Sequence, residues 1–135
     1  MGAWGVLAFD NDEANDWAYD LEDANDLALV ETAFGNIEAV GTGYLEQDVA
    51  CVALAAREVL ARLHGQAGYT NAYTEKVDRW VADHPMNVPD SMTRRGYTAI
   101  DRVTGDNSEL RELWQEPDHA DAWSTALADL RRRLG

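Results

Sequence analysis

A chain of 135 residues holds about one domain, long enough to bury roughly two thirds of the surface that its unfolded form exposes. Its 46% apolar residues exclude a disordered acidic tail in spite of a net charge of −14. That charge repels nucleic acid and anionic lipid, disfavours both as partners, and favours cations or basic protein surfaces.

The excess of acid is uneven. Residues 1 to 56 carry twelve Asp and Glu and no Lys, Arg or His, whereas residues 57 to 135 carry thirteen acids and eleven bases. No apolar run approaches the roughly 18 residues that span a bilayer, and the start lacks the basic region of a secretory signal, so a cytoplasmic location is expected. The lone Cys51 stands among Ala and Val and reads as a small buried hydrophobe in a reducing compartment.

In chain order, the apolar stretch WGVLAF, residues 4 to 9, has no helical spacing and reads as an extended segment laid on the core. Trp4, between Gly2 and Gly5, is expected to plug a gap there. Asp10 with Glu13 fits a capping box that starts helix one. Ala14, Trp17, Ala18 and Leu21 then form an apolar face, with Asp12, Asp16, Asp20 and Asp23 on the opposite side. Asn25 and Asp26 stop that helix and cap a second, faced by Leu27, Val30, Phe34 and Ile37 and ended by the GTG at 41 to 43.

The third helix is the clearest. Leu45, Val49, Val52, Ala56, Val59, Leu60 and Leu63 recur three and four apart until Gly65 stops it, and it is expected to be central. Tyr73, Val77, Trp80 and Val81 mark a fourth, closed at His84-Pro85. A fifth runs from about Ser91 to Val103, TGDN turns into SELRELW, and a last helix spans about 118 to 134. No strand, hairpin or repeat signal is present. The expected fold is all-α, a single-domain irregular bundle of about six to seven helices with the extended N-terminal segment packed on it.

Chemistry-bearing motifs are scarce. Asp10 and Asp12 fit the first and third ligands of a calcium loop, but Asn15 replaces the turn glycine and Leu21 the bidentate acid. A looser divalent-cation site on Asp10, Asp12 and Asp16 stays as the weaker alternative, and no metal or other cofactor is expected. His64, His84 and His119 have no metal-helix spacing, and His64 and His84 read as complements to helix C-termini. The RRR at 131 to 133 reads as a solvated final turn, and Trp17, Trp80, Trp114 and Trp123 as core.

Asp20 and Asp23 are harder to account for. They lie at the negative end of their own helix, a cost of about 0.3 to 1 kcal/mol each, with like charges four residues away adding to it. A base folded back from Arg57, Arg79 or Arg102, the basic surface of a partner, or simple tolerance would each explain them. The stripe Asp12, Asp16, Asp20 and Asp23 is accordingly the candidate docking surface for a basic protein.

The opening GAWG, the FDND at Phe9 to Asp12, the DW at Asp16 to Trp17, the YLE at 44 to 46 and the SELRELW at 108 to 114 together resemble the bacterial family described as domain of unknown function 4259. Nearly the whole chain is covered, with Trp4, Phe9, Asp10, Asn11, Asp12 and Trp17 as its opening signature. The resemblance implies a small bacterial protein and carries no catalytic residue over. Two functional classes follow: a non-enzymatic interaction protein of inhibitor or immunity type, which the charge asymmetry favours, and a divalent-cation-dependent hydrolase using the N-terminal Asp cluster. A domain with no role visible on its surface is a third.

Overall fold

The computed structural model describes residues 8–67, 69–114 and 120–133. Among them are seven helices: α1 (Asp12–Glu22), α2 (Ala28–Val40), α3 (Gln47–Leu63), α4 (Glu75–Asp83), α5 (Asp90–Thr104), α6 (Glu109–Leu113) and α7 (Ala120–Arg132). The chain is all-α, as the periodicity requires. No helix among the described residues is long and apolar enough to cross a membrane. Trp4, with its expected plug, and His119 lie outside the described residues.

The start of α1 departs from the expected capping box. Asn11 is the cap: its Oδ1 accepts from the Ala14 amide at 2.8 Å and its Nδ2 donates to the Ala8 carbonyl at 3.1 Å. A buried cap that must both accept and donate favours a neutral amide over the carboxylate of Asp10. Asn15 adds hydrogen bonds to the Phe9 and Asn11 carbonyls at 2.8 and 2.7 Å. Phe9, fully buried, is thereby locked under the helix.

The cap position of α2 is Leu27 and not the expected Asp26, which stands one residue before it and accepts from the Ala28 amide at 3.0 Å. That helix stops at Gly41, whose φ of 60° suits glycine. α3 is central, and α1, α2, α4, α5, α6 and α7 all touch it. Its N-terminus is capped in trans, the Gln47 amide donating to Glu109 Oε1 of α6 at 2.6 Å. Its C-terminus closes as a Schellman motif, with Gly65 N–H to the Arg62 carbonyl and Gln66 N–H to the Ala61 carbonyl, both at 2.9 Å. His64 and His84 are the C-cap residues of α3 and α4, and the His84 ring stacks on Trp80.

One short parallel bridge joins Leu45 to Ser108, with Leu45 N–H to the Asn107 carbonyl at 2.7 Å and Glu109 N–H to the Leu45 carbonyl at 2.9 Å. It ties the segment entering α3 to the turn before α6, a pairing with no local sequence signal. Trp17, Trp80 and Trp123 are core, and Trp114 is partly buried against it.

The larger surprise is polar. Arg57, Glu58 and Arg62 of α3 are buried, as is Arg133, which corrects the reading of the final RRR as solvated. Arg133 donates to both oxygens of Glu58 at 2.6 and 3.0 Å, to Asp129 at 2.8 Å and to the Gln66 carbonyl at 3.1 Å. Arg62 reaches Glu58 at 3.4 Å and Asp78 at 3.2 Å. Opposite charges thus meet along Arg133, Glu58, Arg62 and Asp78, and this chain of them fastens α7 and α4 to α3.

Candidate functional site

On the face of α1 turned toward α3, residues one turn apart stack above one another, which brings Glu13, Asp16, Trp17 and Asp20 to one side. Asp48, in the first turn of α3, faces them, with Val49, Val52 and Asn36 of α2. Together they line an open groove of about 360 Å³. Its floor is apolar, formed by nearly buried Trp17 and the half-buried Val49 and Val52; its walls carry four carboxylates. One carboxylate oxygen of Glu13 is buried without a hydrogen-bond partner.

The four-residue stripe is therefore split. Asp12, Asp16, Asp20 and Asp23 are all exposed, but only Asp16 and Asp20 line the groove. Asp12 stands in the first turn of α1, where the helix dipole favours it, and Asp23 is the C-cap residue. Glu13 and Asp48 are the wall residues that sequence reading did not select. Glu13 was assigned to capping, and Asp48 joins the others only when α3 packs beside α1.

Among the described residues none of these acids meets an internal base. Asp12, Asp16, Asp20, Asp23 and Asp48 enter no ion pair among the described residues. None of the three arginines expected as internal partners pairs with these acids among the described residues. Arg57 is buried against α5, and Arg102 donates to the Gly41, Gly43 and Asp106 carbonyls. Arg79 lines a smaller cleft with Glu22, Lys76 and His84. Lys76 stands 4.2 Å from the ring of Tyr19.

Several acids elsewhere are paired. Glu38 accepts from Arg95 twice at 2.9 Å, and this hydrogen bonding holds its carboxyl below the ordinary value. Asp101 pairs with Arg131, Asp106 with Arg111, and Asp129 with Arg132 and Arg133. Burial pushes the Asp129 carboxyl up, but the two arginines outweigh it and leave it below its usual value.

No three His, Cys, Asp or Glu side chains converge to hold a metal ion among the described residues, Asp12 and Asp16 included. Cys51 is buried, and burial pushes its thiol up to about 12, so it is a thiol at neutral pH. The described residues thus assemble a groove suited to holding positive charge against an apolar floor.

Neither the curated proteins nor the solved structures include a match to the chain. The family described as Domain of unknown function (DUF4259) matches residues 2–126 of the 135, and the chain belongs to that family.

Proposed function

We propose that this protein is a non-catalytic, single-domain interaction module of the cytoplasm, of inhibitor or immunity type, whose groove between α1 and α3 seats a basic segment of another protein. The observation that carries this reading is the groove's combination of four carboxylates, Glu13, Asp16, Asp20 and Asp48, around Trp17, Val49 and Val52, with no ion pair of its own among the described residues. A segment that alternates arginine or lysine with an apolar residue matches both parts of it. Asp12 and Asp23, flanking the groove on the same helix, extend the attracting field and act mainly on the rate of association.

The test uses a short peptide alternating arginine and leucine, with an uncharged serine and leucine peptide as control. Tryptophan emission and fluorescence anisotropy report binding. The expected result is saturable binding of the basic peptide alone, weakening as salt shrinks the screening length to about 8 to 10 Å. It should be lost in Asp16→Asn with Asp20→Asn. Equal binding of both peptides, or unchanged binding by the double variant, would overturn the proposal.

The hydrolase alternative on Asp10, Asp12 and Asp16 has only carboxylate density in its support. Calorimetric titration with calcium or magnesium decides it. A one-to-one complex tighter than about 10 μM would favour it over the interaction module.

A further inference from the structure

Where α1 packs against α4, a second cleft of about 140 Å³ opens to solvent. Glu22 of α1 lines it with Lys76, Arg79, Trp80, Asp83 and His84. Lys76, Arg79, Trp80 and Asp83 recur three and four apart, so one face of α4 presents them in order over about two turns. The bases come early on that face and the acid at its end, with Arg79 and Asp83 one turn apart, a rise of about 6 Å.

The negative side of the cleft has two sources. Glu22 and Asp83 are the last residues of α1 and α4, and neither helix has a base in its final turn. Each helix end adds roughly half a negative charge to its acid, which suits this corner to a cation. The positive side rests on Arg79. Lys76 already faces the Tyr19 ring at 4.2 Å, whereas Arg79 is exposed and enters no ion pair among the described residues. Glu22 and Asp83 pair with neither base, although all four line the same cleft.

The remaining wall is aromatic. The His84 ring stacks on Trp80 with centroids 4.8 Å apart, held there by Nδ1–H donating to the Trp80 carbonyl at 2.9 Å. A simple anion in this cleft meets two acids and a simple cation meets two bases, so each is repelled by half of the lining. An occupant that carries both charges matches both halves. The volume is close to the roughly 150 Å³ of a cavity that takes one benzene, so that occupant is small.

We propose that the cleft between α1 and α4 binds a small zwitterion of the amino-acid class, its ammonium at Glu22 and Asp83, its carboxylate on the guanidinium fork of Arg79 and its carbon skeleton against the stacked rings of Trp80 and His84. The site is independent of the acidic groove, which lies on the side of α1 turned toward α3.

The experiment uses the full chain and L-alanine, with ethylammonium and propionate as probes that keep its skeleton and one charge each. Calorimetric titration reports binding, together with the Nε1–H resonance of Trp80, which donates to the Ala24 carbonyl at 2.8 Å. L-Alanine should bind saturably and shift that resonance, and each single-charge probe should bind about tenfold or more weakly. Arg79→Gln and Asp83→Asn, both at exposed positions, should each weaken L-alanine by about tenfold, while Arg94→Gln, an exposed base of α5, should leave it unchanged. A Trp80 resonance unmoved by L-alanine ends the proposal. Propionate or ethylammonium binding as well as L-alanine would refute the zwitterion assignment, and undiminished binding by Arg79→Gln would refute the site.

Discussion

Asp16 and Glu58 are both helical carboxylates, and they lead opposite lives. Asp16 is exposed on α1 beside three more acids and, among the described residues, no partner base, whereas Glu58 is buried in α3 under two arginines. The chain thus separates its charges by task. Glu58, Asp78 and Asp101 meet arginines of other turns or helices and fasten them together, while Asp16, Asp20 and Asp48 of the groove are exposed. Breaking the buried arrangement therefore costs stability, whereas exposed charges are screened and gain little from neighbours.

Breaking the buried network gives the largest effect. Glu58→Ala leaves Arg133 with Asp129 and Arg62 with Asp78, and Arg133→Ala leaves Glu58 with Arg62, so the remaining buried charges are undercompensated and a loss of about 3 to 5 kcal/mol is expected in chemical denaturation. Glu58→Leu with Arg133→Leu should recover part of that loss, since no lone charge remains between those two positions. Gly96→Ala comes next. Its new Cβ overlaps the Arg57 stem, so a loss of about 1 to 3 kcal/mol is expected, relieved in part by adding Arg57→Ala.

A surface pair should matter less. Glu38 and Arg95 are partly exposed, so Glu38→Gln should cost only about 0.2 to 1 kcal/mol. Its pH dependence has a definite sign. Hydrogen bonding to Arg95 lowers the folded value below 4.5, so the contribution is complete above pH 4.5 and lost as pH falls through the lowered value. Wild type and variant should therefore converge in acid denaturation series.

The smallest stability effect sharpens the contrast most. Asp20→Asn with Asp23→Asn should stay within about 0.5 kcal/mol of wild type, or gain slightly from relief at the helix C-terminus. A clear loss of Tm would mean that these acids serve the fold as Glu58 does, and the contrast between the two regions would fall.

Periodicity in the sequence was enough for the helices, because an amphipathic stripe is a local property read every three or four residues. Trp17, Val30 and Val77 are buried as their spacing requires, and Gly41 and Gly65 end their helices where a positive φ is needed. The acidic first half was equally plain. The cap of α1 was misassigned by one residue, since choosing Asn11 over Asp10 depends on a donor bond to Ala8 that lies outside the helix.

Tertiary structure alone decided which charges are used. Arg57, Glu58, Arg62 and Arg133 look like surface residues by composition, and they are buried because helices distant in sequence bring a partner to Glu58 or a notch at Gly96 to Arg57. Asp48 likewise joins Asp16 and Asp20 only through the packing of α3 on α1. Burial of an apolar face follows from one helix, but compensation of a charge depends on another segment, and no local pattern encodes where that segment lies.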